Sequence, residues 1–317
     1  VSALPAAISA FLAGTGWGDA DARPLPGDAS ARRYWRLSRA DGGSAILMSG
    51  PAEPDEVPAF LEVGRHLAAQ GVAAPRVLAA APADRLVLLE DWGPELLDAR
   101  LVREPALEHR AYAEAGRLLG RLAGAAAPGF LPPYDLAWYL MEITIFLDWS
   151  APAAPRAPLL DAWRAALTPL LAEPPRFVHR DFHAQNLFWL DGRPGPPRLG
   201  VIDFQGARAG HPAYDLVSLV EDARRDVSPA ARAAALGGFG EARPELAGSA
   251  LETAMAVLGA QRHSKILGLF DRLARRDGKP HYQAMKPRVR AHLERCLAHP
   301  ALAEVRAWHA RFGFGEA

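Results

Sequence analysis

The chain has 317 residues, half of them hydrophobic, which is enough to bury a substantial core and favours two domains. Lysine plus arginine and aspartate plus glutamate both total 36, with no basic block, so nucleic acid is not an expected partner. A single cysteine, Cys296, excludes an intramolecular disulfide framework or a cysteine-based metal cluster.

Residues 4–14 are apolar and predict an amphipathic helix packed on the first domain. The stretch is too short to span a bilayer, and the first basic residue is Arg23, so the charged start of a signal peptide is lacking. A cytoplasmic protein with no membrane partner is expected. Residues 31–38, carrying Tyr34, Trp35 and Leu37 among arginines, predict a strand. Asp41-Gly42-Gly43 is a turn signal, and residues 45–48 form the next strand. The apolar spacing over 60–69 predicts a helix closed by Gln70-Gly71. Residues 85–90 read as a buried strand, broken by Asp91-Trp92-Gly93-Pro94. That break divides a small sheet-containing domain, residues 1–91, from a larger, mainly helical one, residues 92–317. In the second, helices are predicted over 108–123, 137–148 and 159–171. Two short strands, 187–190 and 198–202, flank a turn-rich segment, and helices resume from Tyr214. The fold class is α+β.

The chemistry is carried by Phe177-Val-His-Arg-Asp-Phe-His-Ala-Gln-Asn-Leu-Phe188 and Gly200-Val-Ile-Asp-Phe-Gln205. Phosphoryl transfer asks a protein for positioning and charge neutralisation rather than covalent work. A carboxylate must accept the hydroxyl proton, and oxygen ligands must hold Mg²⁺ against the phosphates. Asp181 and Asn186 lie one loop turn apart, and Asp203 ends a strand from which it can reach the same metal. Apolar strands flank both motifs, the context such loops need.

With its His-x-Asp, downstream asparagine, hairpin, Ile-Asp-Phe and later Tyr-Asp-Leu, the sequence resembles the aminoglycoside phosphotransferase family, relatives of protein kinases. The resemblance spans nearly the whole chain. It implies a bilobal protein-kinase-like fold and an ATP- and Mg²⁺-dependent kinase of small alcohols. Asp181 is then the catalytic base, Asn186 and Asp203 are metal ligands, and His179 and Asp215 support the catalytic loop. Glu90 and Trp92 fall at the hinge, where backbone groups pair with adenine. Gly27 to Tyr34 occupies the phosphate-loop position, with the Ser30 hydroxyl and backbone amides facing the nucleotide.

One departure from the family pattern is evident. Relatives carry a lysine on the third strand, paired with a glutamate on the following helix. Met48 stands at the lysine position, and the only lysines are Lys265, Lys279 and Lys286. The helix partner falls near Phe60, or at Glu62 if the register slips, so both members of the pair are expected to be lost. Arg32, Arg33 and Arg36 are the available phosphate cations, with Arg33 favoured.

Gly27-Asp-Ala-Ser-x-Arg-Arg-Tyr-x-Arg36, the missing lysine, Asp203-Phe-Gln205, Gln261-Arg262-His263 and Asp277-Gly-Lys-Pro280 are together similar to the anomeric kinases of cell-wall amino sugars. This resemblance implies a sugar acceptor: the C1 hydroxyl of N-acetylmuramate or N-acetylglucosamine, phosphorylated during peptidoglycan recycling. His183, Glu142, Arg208 and Arg262 are the candidate sugar-binding residues. The alternatives are another small alcohol (an aminoglycoside, choline or homoserine) or a nucleotide-binding pseudokinase. The mixed charge of Glu221-Asp222 and Arg224-Arg225 disfavours a polycationic antibiotic. With no further ligand spacing apparent in the sequence, a zinc site is not expected.

Overall fold

The computed structural model describes residues 4–26, 32–50, 56–191 and 198–313. Helix α1 (Ala6–Gly14) precedes strands β1 (Asp21–Pro24), β2 (Arg33–Ser38) and β3 (Ser44–Ser49). Helix α2 (Glu56–Ala69) follows, then β4 (Val77–Ala81) and β5 (Leu86–Glu90). Helices α3 (Leu97–Arg103), α4 (Glu108–Leu122), α5 (Leu136–Trp149) and α6 (Arg156–Leu167) come next. They lead to the short strands β6 (Arg176–Val178), β7 (Leu187–Trp189), β8 (Leu199–Val201) and β9 (Arg208–Gly210). After them run α7 (Ala213–Val220), α8 (Pro229–Ala242), α9 (Ser249–Arg275), α10 (Lys286–Leu297) and α11 (Ala303–Phe312). The chain divides into two compact units: Val1–Arg100 with Gln185–Gly206, and Leu101–Ala184 with Ala207–Ala317.

The first unit is built on an antiparallel sheet of order β1-β2-β3-β5-β4. The period of two along β3 sends Ala45 and Leu47 to one face, where they join Leu37 of β2 and Leu86 and Leu88 of β5. Ile8, Leu12 and Trp17 from α1 and its following turn complete that cluster, as the apolar N-terminal pattern predicts. Met48, opposite Tyr34 and Val87 in the ladder, is buried. Helix α2 starts at Glu56 rather than at residue 60, because Pro58 lies in its first turn, where a missing N–H breaks no helical bond.

The β7–β8 hairpin belongs to this unit and is tied to it by Val201 N donating to Ala73 O at 2.8 Å. Trp92 lies directly on it. A Cβ at Gly200 would fall 2.3 Å from a Trp92 ring carbon, so only glycine admits the indole there. Trp92 also meets Phe188 edge-on at 5.5 Å.

In the second unit, β6 and β9 form an antiparallel pair, Phe177 opposite Ala209, amid helices. The 27-residue α9 packs against α5. A Cβ on Gly268 would come within 2.5 Å of Ile145 O, so the glycine allows the two backbones their close approach. That approach brings Gln261 and Lys265 of α9 to Glu142 of α5.

Candidate active site

Asp181 follows β6 in a loop whose backbone is fixed from below. The Asp215 carboxylate, in the first turn of α7, accepts from His179 N at 2.6 Å and from Arg180 N at 2.8 Å. The buried His179 ring turns back on the loop, its Nδ1 accepting from Asp181 N at 3.2 Å. Between them Arg180 has φ +78°, a left-handed conformation costing a non-glycine residue roughly 1–3 kcal/mol. Burial raises the Asp215 pKa to about 6, although His179 and the donated amides act in the opposite sense.

The left-handed Arg180 is also gripped through its side chain. Its Nη2 donates to Glu142 Oε1 at 3.0 Å, and Lys265 Nζ donates to the same oxygen at 3.1 Å. Glu142 further accepts from Tyr134 Oη at 2.7 Å, Trp138 Nε1 at 3.2 Å and Gln261 Nε2 at 3.2 Å. It is therefore no helix-surface glutamate: it is 2% exposed and surrounded by donors. Burial alone would raise its pKa, but Lys265 and Arg180 outweigh that and hold it below the ordinary value. Asp181 feels the same field. Against the upward push of burial, Lys265, Arg180, His183 and Arg262 hold its carboxyl well below the usual carboxylate range. The result is a solvent-accessible, ionised acid on a braced loop.

Lys265 was not singled out by sequence. The signal available was a lysine four residues beyond Gln261, hence on the same helix face, just before an apolar run. The remaining substrate candidates of this unit are placed as follows. His183 is buried, its Nε2 lies 3.3 Å from Arg224 Nη1, and burial and then Arg224 lower its pKa to about 3, so its ring is neutral. Arg262 is buried and donates to Ser218 Oγ at 2.9 Å. Arg208 stacks its guanidinium over Trp138 at 3.2 Å and donates to Pro133 O at 2.8 Å.

In the first unit, Asn186 closes a short turn of 3₁₀-helix, and its carbonyl accepts from Ile202 N at 3.0 Å, next to Asp203. Asp203 itself is left-handed, with φ +64°. Its Oδ1 accepts from Gln205 Nε2 at 3.0 Å and pairs with Arg32 Nη2 at 2.8 Å. Arg32 Nε lies 3.6 Å from Glu56 Oε2, and Arg32 Nη1 donates to Tyr34 Oη at 3.2 Å. Asp203, a predicted metal ligand, thus already receives a positive charge, a guanidinium standing where a cation fits.

At Met48 and Phe60 the strand lysine and its helix partner are absent, but a cation–carboxylate pair forms elsewhere, between Arg32, before β2, and Glu56, at the start of α2. It escaped the sequence because α2 begins earlier than its apolar period shows, and because the cation comes from the residue preceding β2. Arg33 is exposed at the start of β2, opposite Ser49. Arg36 is engaged elsewhere: it donates to both Asp91 oxygens, at 2.8 and 3.2 Å, and to Gly93 O at 2.8 Å. It thereby pins the segment after Glu90, where Asp91 Oδ1 also accepts from Gly93 N at 2.8 Å. Glu90 N pairs with Arg76 O at 2.9 Å, and Trp92 is seated on the hairpin. Ser30 lies outside the described residues.

One further cluster of ligand-type side chains occurs among the described residues. Atoms of Glu221, His263 and His292 lie within 4.8 Å of one another, and Cys296 Sγ is 3.6 Å from Glu221 Oε2. The ligands come from α7's end, α9 and α10, so no sequence spacing announced them. His263 Nε2 lies 2.8 Å from Glu221 Oε2, Arg232 faces the other oxygen at 3.6 Å, and an Arg295 nitrogen contacts His292 Nδ1. His263 and Arg232 supply the partners for Glu221 that a metal would otherwise provide.

The braced Asp181 loop of one unit, and the β7–β8 hairpin and Arg32–Glu56 pair of the other, are each features of a small-molecule kinase. Residues 21–249 match the phosphotransferase enzyme family, and the chain belongs to it. An N-acetylmuramate/N-acetylglucosamine kinase of Caulobacter vibrioides is 38% identical, over 97% of this chain and 96% of that protein. A protein of the same name from Pseudomonas aeruginosa is 32% identical, over 95% of this chain and 92% of the other. A homoserine kinase of Pseudomonas aeruginosa is 31% identical, over 63% of this chain and 64% of its own length. Among solved structures, a choline/ethanolamine kinase family protein from Mesorhizobium loti superposes with TM-score 0.65 at 18% identity, covering 95% of this chain and 98% of that one. A macrolide 2'-phosphotransferase from Brachybacterium faecium gives TM-score 0.56 at 20% identity, covering 90% and 96%. These structures show the kinase-like α+β fold. No helix among the described residues is long and apolar enough to cross a membrane.

Proposed function

We propose that the chain transfers the γ-phosphoryl group of ATP to the anomeric C1 hydroxyl of N-acetylmuramate or N-acetylglucosamine, in cell-wall recycling. The observation that carries the catalytic part is the Asp181 loop: an ionised carboxylate on a left-handed turn held by Asp215, His179 and Glu142. The acceptor rests on the two relatives of that name, each aligned over nearly all of this chain.

In this reading the sugar oxygen attacks phosphorus while the bond from phosphorus to the β–γ bridging oxygen breaks. The hydroxyl proton passes to Asp181. A carboxylate with so low a pKa is a weak base, and an anomeric hydroxyl, more acidic than other sugar hydroxyls, suits it. Asn186 and Asp203 are oxygen donors of the kind Mg²⁺ prefers, and Arg32 already marks Asp203 as accepting positive charge. When bound, the metal would neutralise phosphate charge.

Glu90 and Trp92 contribute backbone groups to adenine, and Ser30 and Arg33 remain candidates for the phosphates. Arg208, Arg262 and the neutral His183 are the residues for the sugar, an arginine suiting the lactyl carboxylate of N-acetylmuramate. Glu142, surrounded by donors, is reassigned from sugar contact to holding Arg180 and Lys265.

ADP release measured with N-acetylmuramate, N-acetylglucosamine, homoserine, choline and kanamycin tests the proposal. Turnover confined to the N-acetyl sugars, with an acid-labile, non-reducing product, is expected. Turnover with choline, homoserine or kanamycin alone would overturn the acceptor.

A further inference from the structure

We propose that Arg32 takes over the task of the missing strand lysine, and that it guards Asp203 until the nucleotide arrives. This inference rests on the phosphoryl-transfer reading but concerns a different step, the binding of nucleotide and metal.

The argument begins with charge. Two carboxylates, Glu56 and Asp203, flank one guanidinium whose side chain is only 9% exposed. Met48 fills the buried third-strand position, and no lysine precedes Lys265, so no ammonium group from this part of the chain can serve the phosphates. Arg36 is committed to Asp91 and Gly93. Arg33 is exposed. Arg32 alone of the three joins a helix carboxylate to Asp203, the geometry that a strand lysine and its helix glutamate supply in kinases.

Competition for one atom gives the second half of the proposal. Asp203 Oδ1 receives both Arg32 at 2.8 Å and Gln205 at 3.0 Å. A metal taking that oxygen competes with the guanidinium for it. Glu56 and Tyr34 retain a hold on Arg32 when Asp203 releases it, and the Nη2 donor that Asp203 gives up can then serve an anion. A triphosphate supplies that anion and brings the metal with it. A metal alone gives Arg32 nothing in exchange. Arg32 therefore favours the metal–nucleotide complex and opposes the bare metal.

The two directions make a test that needs no turnover. In Arg32→Met, ATP affinity in the presence of Mg²⁺ should fall roughly 10- to 100-fold, the range for losing charge-assisted hydrogen bonds to phosphate. Binding of Mn²⁺ alone, followed by electron paramagnetic resonance, should instead tighten by roughly 3- to 5-fold as Asp203 is uncovered. Arg32→Lys should keep part of the ATP affinity, which separates lost charge from a damaged fold, and circular dichroism reports the fold directly. If wild type and Arg32→Met bind Mg²⁺–ATP equally, or if Arg33→Met loses affinity while Arg32→Met does not, the assignment to Arg32 fails. If Mn²⁺ binding weakens in Arg32→Met, the guarding role fails. Wild-type protein that binds no nucleotide at all would sink the kinase reading itself, a separate outcome.

Discussion

Asp181 and Asp203 are both acids on left-handed or strained loops, yet the two units hold them by different means. Around Asp181 the supports are buried and numerous. Asp215 takes two backbone amides, while Glu142, its side chain 3% exposed, collects Arg180 and Lys265. Asp203 has a side chain 35% exposed, held by one arginine and one amide. A buried ion cluster is costly to take apart, because each charge removed leaves a partner uncompensated. A pair whose acid is 35% exposed can exchange its partner at lower cost. On the proposed roles, the proton acceptor is held in place while the metal ligand is left able to change partners.

The largest expected effect comes from removing the acceptor while keeping its shape. Asp181→Asn should lower kcat by about 10³-fold, within the range for general base catalysis, and leave the ATP dissociation constant within about twofold. Steady-state kinetics and calorimetry check the two halves; near-wild-type turnover would break the assignment of Asp181.

Next in size is stability, where the two regions should part most clearly. Glu142→Gln leaves Arg180 and Lys265 without their shared counter-charge and should cost about 3–5 kcal/mol in urea unfolding. Asp203→Asn, in the other region, should cost under about 1 kcal/mol while weakening metal–nucleotide binding. Equal losses for the two variants would erase the contrast.

The smallest effect is a pH dependence. The folded-state pKa of Asp215 is about 6, above the ordinary carboxylate value of about 3.9. Its contribution to stability is thus fully present below the unfolded value and lost as pH rises through about 6. Acidification from pH 7 to 5 should not destabilise the fold through this group. It should instead weaken the brace on His179 and Arg180 and give turnover an acid limb near pH 6. Asp181, held ionised, does not supply that limb. Asp215→Asn should flatten it and should gain in Tm relative to wild type at pH 8 more than at pH 5. An unchanged limb in the variant would point to another group.

Much of this was legible in the sequence, for reasons that are local. The Asp181 loop, the hairpin and Asp203 sit between apolar strands whose pattern is visible residue by residue. The strands at 33–38, 44–49 and 86–90 follow from their apolar spacing, and so do α4 and α5. Strands β1 (Asp-Ala-Arg-Pro) and β6 (Arg-Phe-Val) were not foreseen, because three or four residues carry too little periodicity. Strand β4 (Val-Leu-Ala-Ala-Ala) is largely alanine at an exposed sheet edge, so it shows no alternation.

What the sequence determined by itself was the kind of chemistry, since the Asp181, Asn186 and Asp203 motifs lie within a short span of chain and resemble those of phosphotransferases, and since the absence of lysine before residue 265 could simply be counted. Tertiary structure decided which charges serve those groups. Glu142 meets Lys265 from 123 residues away, and Arg32 meets Asp203 from a greater separation, with residues 101–184 of the other unit between them in the chain. Ion pairs between distant segments leave no trace in local periodicity, because burial and approach of whole elements, here α5 on α9 through Gly268, select the partners.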